Sequence, residues 1–217
     1  MNIRFLGHAT FLLTTGGKKI VTDPYEPGGF GGAIGYGPMT EAADFVTVSH
    51  DHADHNYVKM VPGNPRVISC AGQETHDGIL FRPLATYHDA SRGAERGRNV
   101  VWVIEAEGMV VCHLGDLGHL LSAEEVSALG HVNVLFVPVG GVFTIEATAA
   151  TAVVEQLRPN IAIPMHYHTP KAGFKLAPVD TFLAGKTAIR SIVGSDFQLT
   201  AETLPNPTEI VVLQPAL

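Results

Sequence analysis

Two cysteines in 217 residues, Cys70 and Cys112, stand too far apart for a paired-thiolate motif. That excludes a Cys-rich zinc site and gives no disulfide framework, so both read as buried free thiols of a reducing compartment. Charged side chains are scarce at 16%, while hydrophobic residues reach 46%, a balance that excludes disorder and calls for a large interior. No apolar run approaches the roughly 18 residues that cross a bilayer. Even Val132 to Phe143 is broken by Asn133, Pro138 and two glycines. The start, Met1 to Gly7, moves straight into strand-like alternation, without the charged and apolar regions of a signal peptide. A soluble, cytoplasmic chain is the expectation. Basic residues are outnumbered, and the net charge of −7 disfavours anionic membrane or long nucleic acid as a partner. No linker divides the composition, so a single domain over residues 1–217 is expected.

Against these absences stand eleven histidines, several of them clustered. Short β-prone runs, Ile3–Leu6, Thr10–Thr14 and Lys18–Thr22, open the chain as a meander, with Gly16-Gly17 as a hairpin turn. A glycine-rich stretch at 27–38 has neither helical nor strand character and lacks a Walker-type ending; it reads as an irregular wall or lid of a site. Further strands are expected at Phe45–Val48, Val67–Cys70, Leu84–Tyr87, Val100–Glu105, Met109–Leu114, Val132–Val139 and Ile161–Met165. Ser122 and Glu125 form a capping box that starts a short helix ending before Gly130. A second helix, Ala147 to Leu157, carries Ala149, Val153 and Leu157 on one face. Strands first and then strands alternating with helices imply an α/β chain: two mixed sheets packed face to face with helices outside.

Three strand ends deliver polar clusters: Ser49 to His55, His113 to His119, and His166 to His168. His-x-His-x-Asp-His within six residues is metal-ligand spacing, since a strand-to-loop turn directs His50 and His52 to one side, where neutral imidazoles share a cation. Asp54 and His55 then reach a second cation. A solvated loop whose histidines only cap strand ends is the structural alternative. His88 follows a β-prone run and is the preferred further ligand, with His76, His113 and His119 as alternatives. His8, His113 and His168 either serve substrate or are satisfied structural histidines. Arg92, Arg96 and Arg98 follow His88 and either grip a phosphate or carboxylate or form a solvated basic loop.

These residues, in this order, resemble the metallo-β-lactamase fold superfamily: Asp23-Pro24 after a strand, His50 to His55, His88 in Thr86-Tyr87-His88-Asp89, Asp116 in Leu114-Gly115-Asp116, and His166. Gly7-His8-Ala9, Gly140-Gly141 and Pro164-Met165-His166-Tyr167 resemble the branch of ascorbate-6-phosphate lactonase-like hydrolases. The resemblance implies a four-layer αββα sandwich. It implies one metal on His50, His52 and His88, a second on Asp54, His55 and His166, and Asp116 bridging the two. It places Asp23 behind the ligands, where a carboxylate fixes an imidazole's orientation. On local chemistry alone Asp23 is equally a turn residue before Pro24.

Two dications against two aspartates and a bridging hydroxide leave a site about one unit positive, which attracts anions. The expected activity is therefore hydrolysis of a small anionic ester, lactone or phosphodiester, with Asp54 positioning the nucleophile and Asp116 holding both metals. Zinc is the default cation, with Mn, Fe and Ni also suited to these ligands. Two other readings stand beside it: a metal-binding protein of the same fold without turnover, and a mononuclear iron sulfur dioxygenase. The fold often dimerises in relatives, so a homo-oligomer is compatible with it.

Overall fold

The period-two alternation of the opening segments builds β1 (Asn2–Gly7), β2 (Thr10–Thr15) and β3 (Lys18–Thr22), an antiparallel meander in the computed structural model, which describes residues 1–217. Gly16 and Gly17 turn β2 into β3 at φ 57° and 73°. Two successive left-handed residues match the twist of the flanking strands, and glycine adopts them without strain. β4 (Phe45–Thr47) and β5 (Arg66–Val67) then add in parallel to the edge of β3.

A second sheet begins with four antiparallel strands, β6 (Glu74–His76), β7 (Ile79–Tyr87), β8 (Arg98–Ala106) and β9 (Met109–His113). β10 (Val134–Pro138) and β11 (Ile161–Met165) follow in parallel, and every residue of both is buried, as expected of strands covered on two faces. The carboxyl-terminal part adds β12 (Ile189–Ser191), β13 (Asp196–Gln198) and β14 (Glu209–Val212). β12 and β14 extend the second sheet, whereas β13 crosses to the first and pairs Phe197 with Ile3. The result is a six-stranded and an eight-stranded mixed sheet.

Between the sheets lies the largest apolar cluster, 43 buried residues. Phe11 of the first sheet stacks on Phe136 of the second with ring centroids 3.9 Å apart, and each fully buried ring contributes about 1.5–3 kcal/mol. Helix Ala147–Leu157 buries Ala150, Val153 and Leu157, spaced for one helical face, and joins this cluster with Phe182 of helix Val179–Leu183. The opposite face of the first sheet carries alternate residues Leu12, Val21 and Val46, which pack with Met39, Ala43 and Val61. The layers are those of the αββα sandwich, with the cover over the first sheet reduced largely to coil and a 3₁₀ turn at Val58–Met60.

Several local expectations are corrected. Ala150 rather than Ala149 joins Val153 and Leu157 as a buried residue of the long helix, with Ala149 only partly buried beside it. Cys70 is exposed; only Cys112 is buried, and burial pushes its thiol up to about 12. The strand expected at Val67–Cys70 is just Arg66–Val67, while β7 reaches back to Ile79. Within the glycine-rich stretch, Gly29–Gly32 makes one short turn that is not regular helix, since Phe30 (φ 52°) and Gly31 (φ 66°) are left-handed.

Within the first sheet β1, β3 and β4 run in one direction, and within the second β7, β9 and β11 share one direction. The carboxyl ends of both sets meet at one edge of the sandwich, because the residues that follow them, among them His8, Asp23, Ser49–His55, His88, Asp116 and His166, come into contact there. Gly140, after β10, passes so close to the turn after β11 that a Cβ would overlap the His166 carbonyl oxygen. Gly140→Ala should therefore destabilise the protein by about 1–3 kcal/mol. Gly72→Ala, where a Cβ meets open space, should stay within about 0.5 kcal/mol. Thermal or denaturant unfolding of the two variants checks this; equal stabilities would contradict it.

Candidate metal centre

β4 stops at Thr47 and the chain turns tightly, with the amides of His55 and Asn56 both donating to the His52 carbonyl (2.9 and 2.8 Å). That turn spreads His50, His52, Asp54 and His55 around a common point instead of along a line. Their ligand-type atoms fall into overlapping groups, each within 4.8 Å: His50, His52 and His88; Asp54, His55 and His166 together with His8; and His50, His55 and Asp116. Residues from five strand ends are thus brought together.

Asp116 lies between the groups. Its Oδ2 is 3.2 Å from His88 Nε2, 3.4 Å from His166 Nε2 and 3.9 Å from His50 Nε2, and its Oδ1 is 3.3 Å from His55 Nε2. Burial alone would raise the Asp116 carboxyl, but the imidazoles of His166 and His55 hold it well below the usual range. Asp54 behaves likewise, with His55 and His8 outweighing burial. Burial pushes His50 and His166 down to about 3, so both are neutral at pH 7, as ligands must be. Burial also disfavours the charged form of His55, yet Asp116 and Asp54 raise it well above its ordinary value.

The cluster leaves polar atoms without partners. His50 Nε2, His55 Nε2, Asp54 Oδ1 and Asp116 Oδ1 are all buried and make no hydrogen bond. Orphaned buried polar atoms cost about 1–3 kcal/mol each. Here they converge on the Asp116 carboxylate, whose charge favours a proton on His55. The donor set fits divalent cations, which would replace that proton and satisfy all four atoms.

A buried network orients the imidazoles from behind. Asp23 Oδ2 accepts from His55 Nδ1 at 2.8 Å and from the Ser49 hydroxyl at 2.5 Å; its Oδ1 accepts from the Ser49 amide at 2.7 Å. The Ser49 oxygen in turn accepts from His50 Nδ1 at 2.9 Å. One carboxylate therefore fixes the tautomers of two histidines, directly and through Ser49, and aims both Nε2 lone pairs at the centre. Burial would raise Asp23, but His113 and His55 keep it low and ionised.

Asn99, missed in the sequence, is fully buried and donates to Thr86 Oγ1 and the Leu114 carbonyl while accepting from the Asp116 amide. A buried asparagine in a strand-forming run is a weak signal that could have pointed to it. Asp89 was also missed. Its carboxylate accepts from the amides of Ser91, Gly93, Glu95 and Arg96, folding residues 89–97 into a tight loop beside His88.

The remaining expected residues divide. His8 is buried, and its Nε2 donates to Asp54 Oδ2 at 3.1 Å, which places it beside the cluster. His168 is exposed and lies outside both the clusters and the cleft in front of them. Arg92 is exposed at a left-handed turn (φ 57°) and does not line that cleft; Arg96, four residues on, does. Of the alternatives to His88, His76 bonds Glu74, His119 accepts from the Tyr87 amide, and His113 donates to the Ala9 carbonyl. The cleft has a volume of about 710 Å³; its floor includes His52, Asp54, His88, Asp116 and His166. Phe30 of the glycine-rich stretch forms part of one wall.

Comparison with known proteins agrees with this architecture. Residues 2–166 match the family described as Beta-lactamase superfamily domain. A UPF0173 metal-dependent hydrolase of Pelotomaculum thermopropionicum is 31% identical over 203 residues, covering 78% of this chain and 85% of the relative. The crystal structure of a candidate Zn-dependent hydrolase from Thermotoga maritima is 39% identical, covers 98% of this chain and 97% of its own, and superposes with a TM-score of 0.80. A metallo hydrolase of Ignicoccus hospitalis, at 20% identity, 92% and 99% coverage and a TM-score of 0.65, shares the fold. The chain belongs to the metallo-β-lactamase fold superfamily, among its metal-dependent hydrolases.

Removal of either link in the orienting network should loosen the ligands without unfolding the protein. Asp23→Asn and Ser49→Ala are each expected to weaken metal affinity by about 10–100-fold. Competition with a chromophoric chelator measures this, and unchanged affinity in both variants would contradict the network's role.

Proposed function

We propose that this chain is a dinuclear metal-dependent hydrolase of a small anionic ester, lactone or phosphodiester. The observation that carries the reading is the position of Asp116 between two ligand groups, with buried, unpartnered atoms on either side of it. His50, His52 and His88 would hold one cation, Asp54, His55 and His166 the other, and Asp116 would serve both. Zinc suits this nitrogen and oxygen set, as do Mn, Fe and Ni. Cations held there acidify water and polarise the oxygen of an electrophile.

The chain's own residues supply the rest. Asp54 keeps Oδ2 engaged by His8 and presents Oδ1 at the cleft floor, where it would face the second cation and accept a hydrogen bond that orients an attacking water. Arg96 brings a positive guanidinium to the cleft, a donor for the anionic part of a substrate. A complete second ligand group favours this reading over a mononuclear iron sulfur dioxygenase, because Asp54, His55 and His166 converge within 4.8 Å, as His50, His52 and His88 do.

Protein purified without chelators should contain close to two metal ions per chain. With Zn or Mn it should hydrolyse at least one member of a panel of phosphodiesters, lactones and thioesters. Exhaustive chelation should abolish turnover, and Asp116→Ala should lower it by about a hundredfold or more while halving the metal content. Full activity in metal-free protein would reject the mechanism. A fully loaded protein inert across the panel would favour a metal-binding role without turnover, and one iron per chain the dioxygenase.

A further inference from the structure

Three phenylalanines from separate segments meet at the mouth of the cleft. Phe30 comes from the glycine-rich stretch, Phe143 from the loop after β10 and Phe174 from the segment after β11. Their rings meet edge to face, Phe30 to Phe174 at 5.5 Å and Phe143 to Phe174 at 6.0 Å between centroids. This is a built surface. Gly35 donates to the Lys171 carbonyl, Gly173 to the Ala33 carbonyl, and the Tyr36 and Thr169 hydroxyls bond at 2.6 Å, so the two segments bearing Phe30 and Phe174 are laced together. The Arg96 guanidinium lies 5.5 Å from the centroid of Phe143, at the end of the loop that Asp89 fixes. Its charged neighbour Glu95 is 4.0 Å away and bonds the Ser91 hydroxyl.

Phe174 is part-buried on the small cluster of Tyr25, Ile34, Tyr36 and Ala172, whereas Phe30 and Phe143 stand clear of the interior. Phe30 is 55% and Phe143 37% exposed, and none of the three belongs to the 43-residue core. Backbone conformation works against the arrangement at two places. Phe30 sits at φ 52°, and Val142, which presents Phe143, at φ 65°, a region that β-branched and bulky residues avoid. Strain held beside a polar cleft, with apolar rings left in water, points to a ligand that covers them.

We infer that the cleft selects substrates carrying a flat, ring-sized apolar group, which packs on Phe30, Phe143 and Phe174, beside an anionic group held between Arg96 and the metal centre. This rests on the reading of the His and Asp cluster as a metal site. Aliphatic anions would use the floor and Arg96 alone, and so bind more weakly.

Methylphosphonate and phenylphosphonate carry the same anionic head and are not hydrolysed, so calorimetric titration of the metal-loaded protein isolates the wall. Phenylphosphonate should bind at least about tenfold tighter. Phe30→Gly and Phe143→Ala should each bring the phenyl-to-methyl affinity ratio towards one. Arg96→Gln should weaken both ligands. Phe30→Gly also relieves the left-handed strain, so its melting temperature should stay level or rise, whereas a ring that only props up the rim would lower it on removal. Equal affinity of the two phosphonates for the unsubstituted protein, or a ratio that survives both phenylalanine substitutions, would overturn the aromatic wall and leave the metal centre standing. Failure of both phosphonates to bind would overturn the metal-centre reading with it.

Discussion

The structure is organised around one electrostatic constraint: a carboxylate, Asp116, buried among four imidazoles at the seam of two sheets. A buried anion is tolerated only when charge and hydrogen bonds answer it. Asp116 and Asp54 raise His55 well above its ordinary value, while burial pushes His50 and His166 down to about 3 and keeps them neutral. What is left over is a set of buried, inward polar atoms without partners, which cations would satisfy. The shared strand direction within each sheet, the tight turn at residues 50–55 and the close passage of Gly140 under His166 all bear on whether those atoms meet.

Support for the cluster comes from a second layer of polar residues rather than from the ligands themselves. Asp23 and Ser49 hold His55 and His50, Asn99 holds the Asp116 amide, and Trp102 Nε1 donates to the Val48 carbonyl, tying the second sheet to the strand that feeds the histidine motif. All but the Ser49 to His50 bond cross between separate segments of the chain. The site therefore depends on the packing of both sheets, while the Phe11 and Phe136 stack and the rest of the core fix the spacing between them.

Much of this was legible in the sequence, for physical reasons that differ by residue. The histidine motif announces itself because four metal-binding side chains within six residues have no use in packing a strand or helix. Ser122 and Glu125 form the expected capping box because capping is a local, two-residue exchange. Asp77-Gly78 is an equally local hairpin signal, with φ of 50° and 79°, and it joins β6 to the first half of β7, which lie outside the expected strands. β12, β13 and β14 were not readable, being three or four residues long and dependent on distant partners. Arg92 and Arg96 look alike in sequence; the four amides gathered by Asp89 decide which of them faces the cleft. The roles of Asn99 and Phe174 exist only once separate strands are brought together.

The central claim is that Asp116 separates two cation sites of unequal surroundings, and anomalous diffraction from crystals grown with Zn or Mn tests it most directly. Two anomalous peaks flanking Asp116, one beside His50, His52 and His88 and the other beside Asp54, His55 and His166, are the predicted result. A single peak on one side at saturating metal, or density bound away from these side chains, would contradict it.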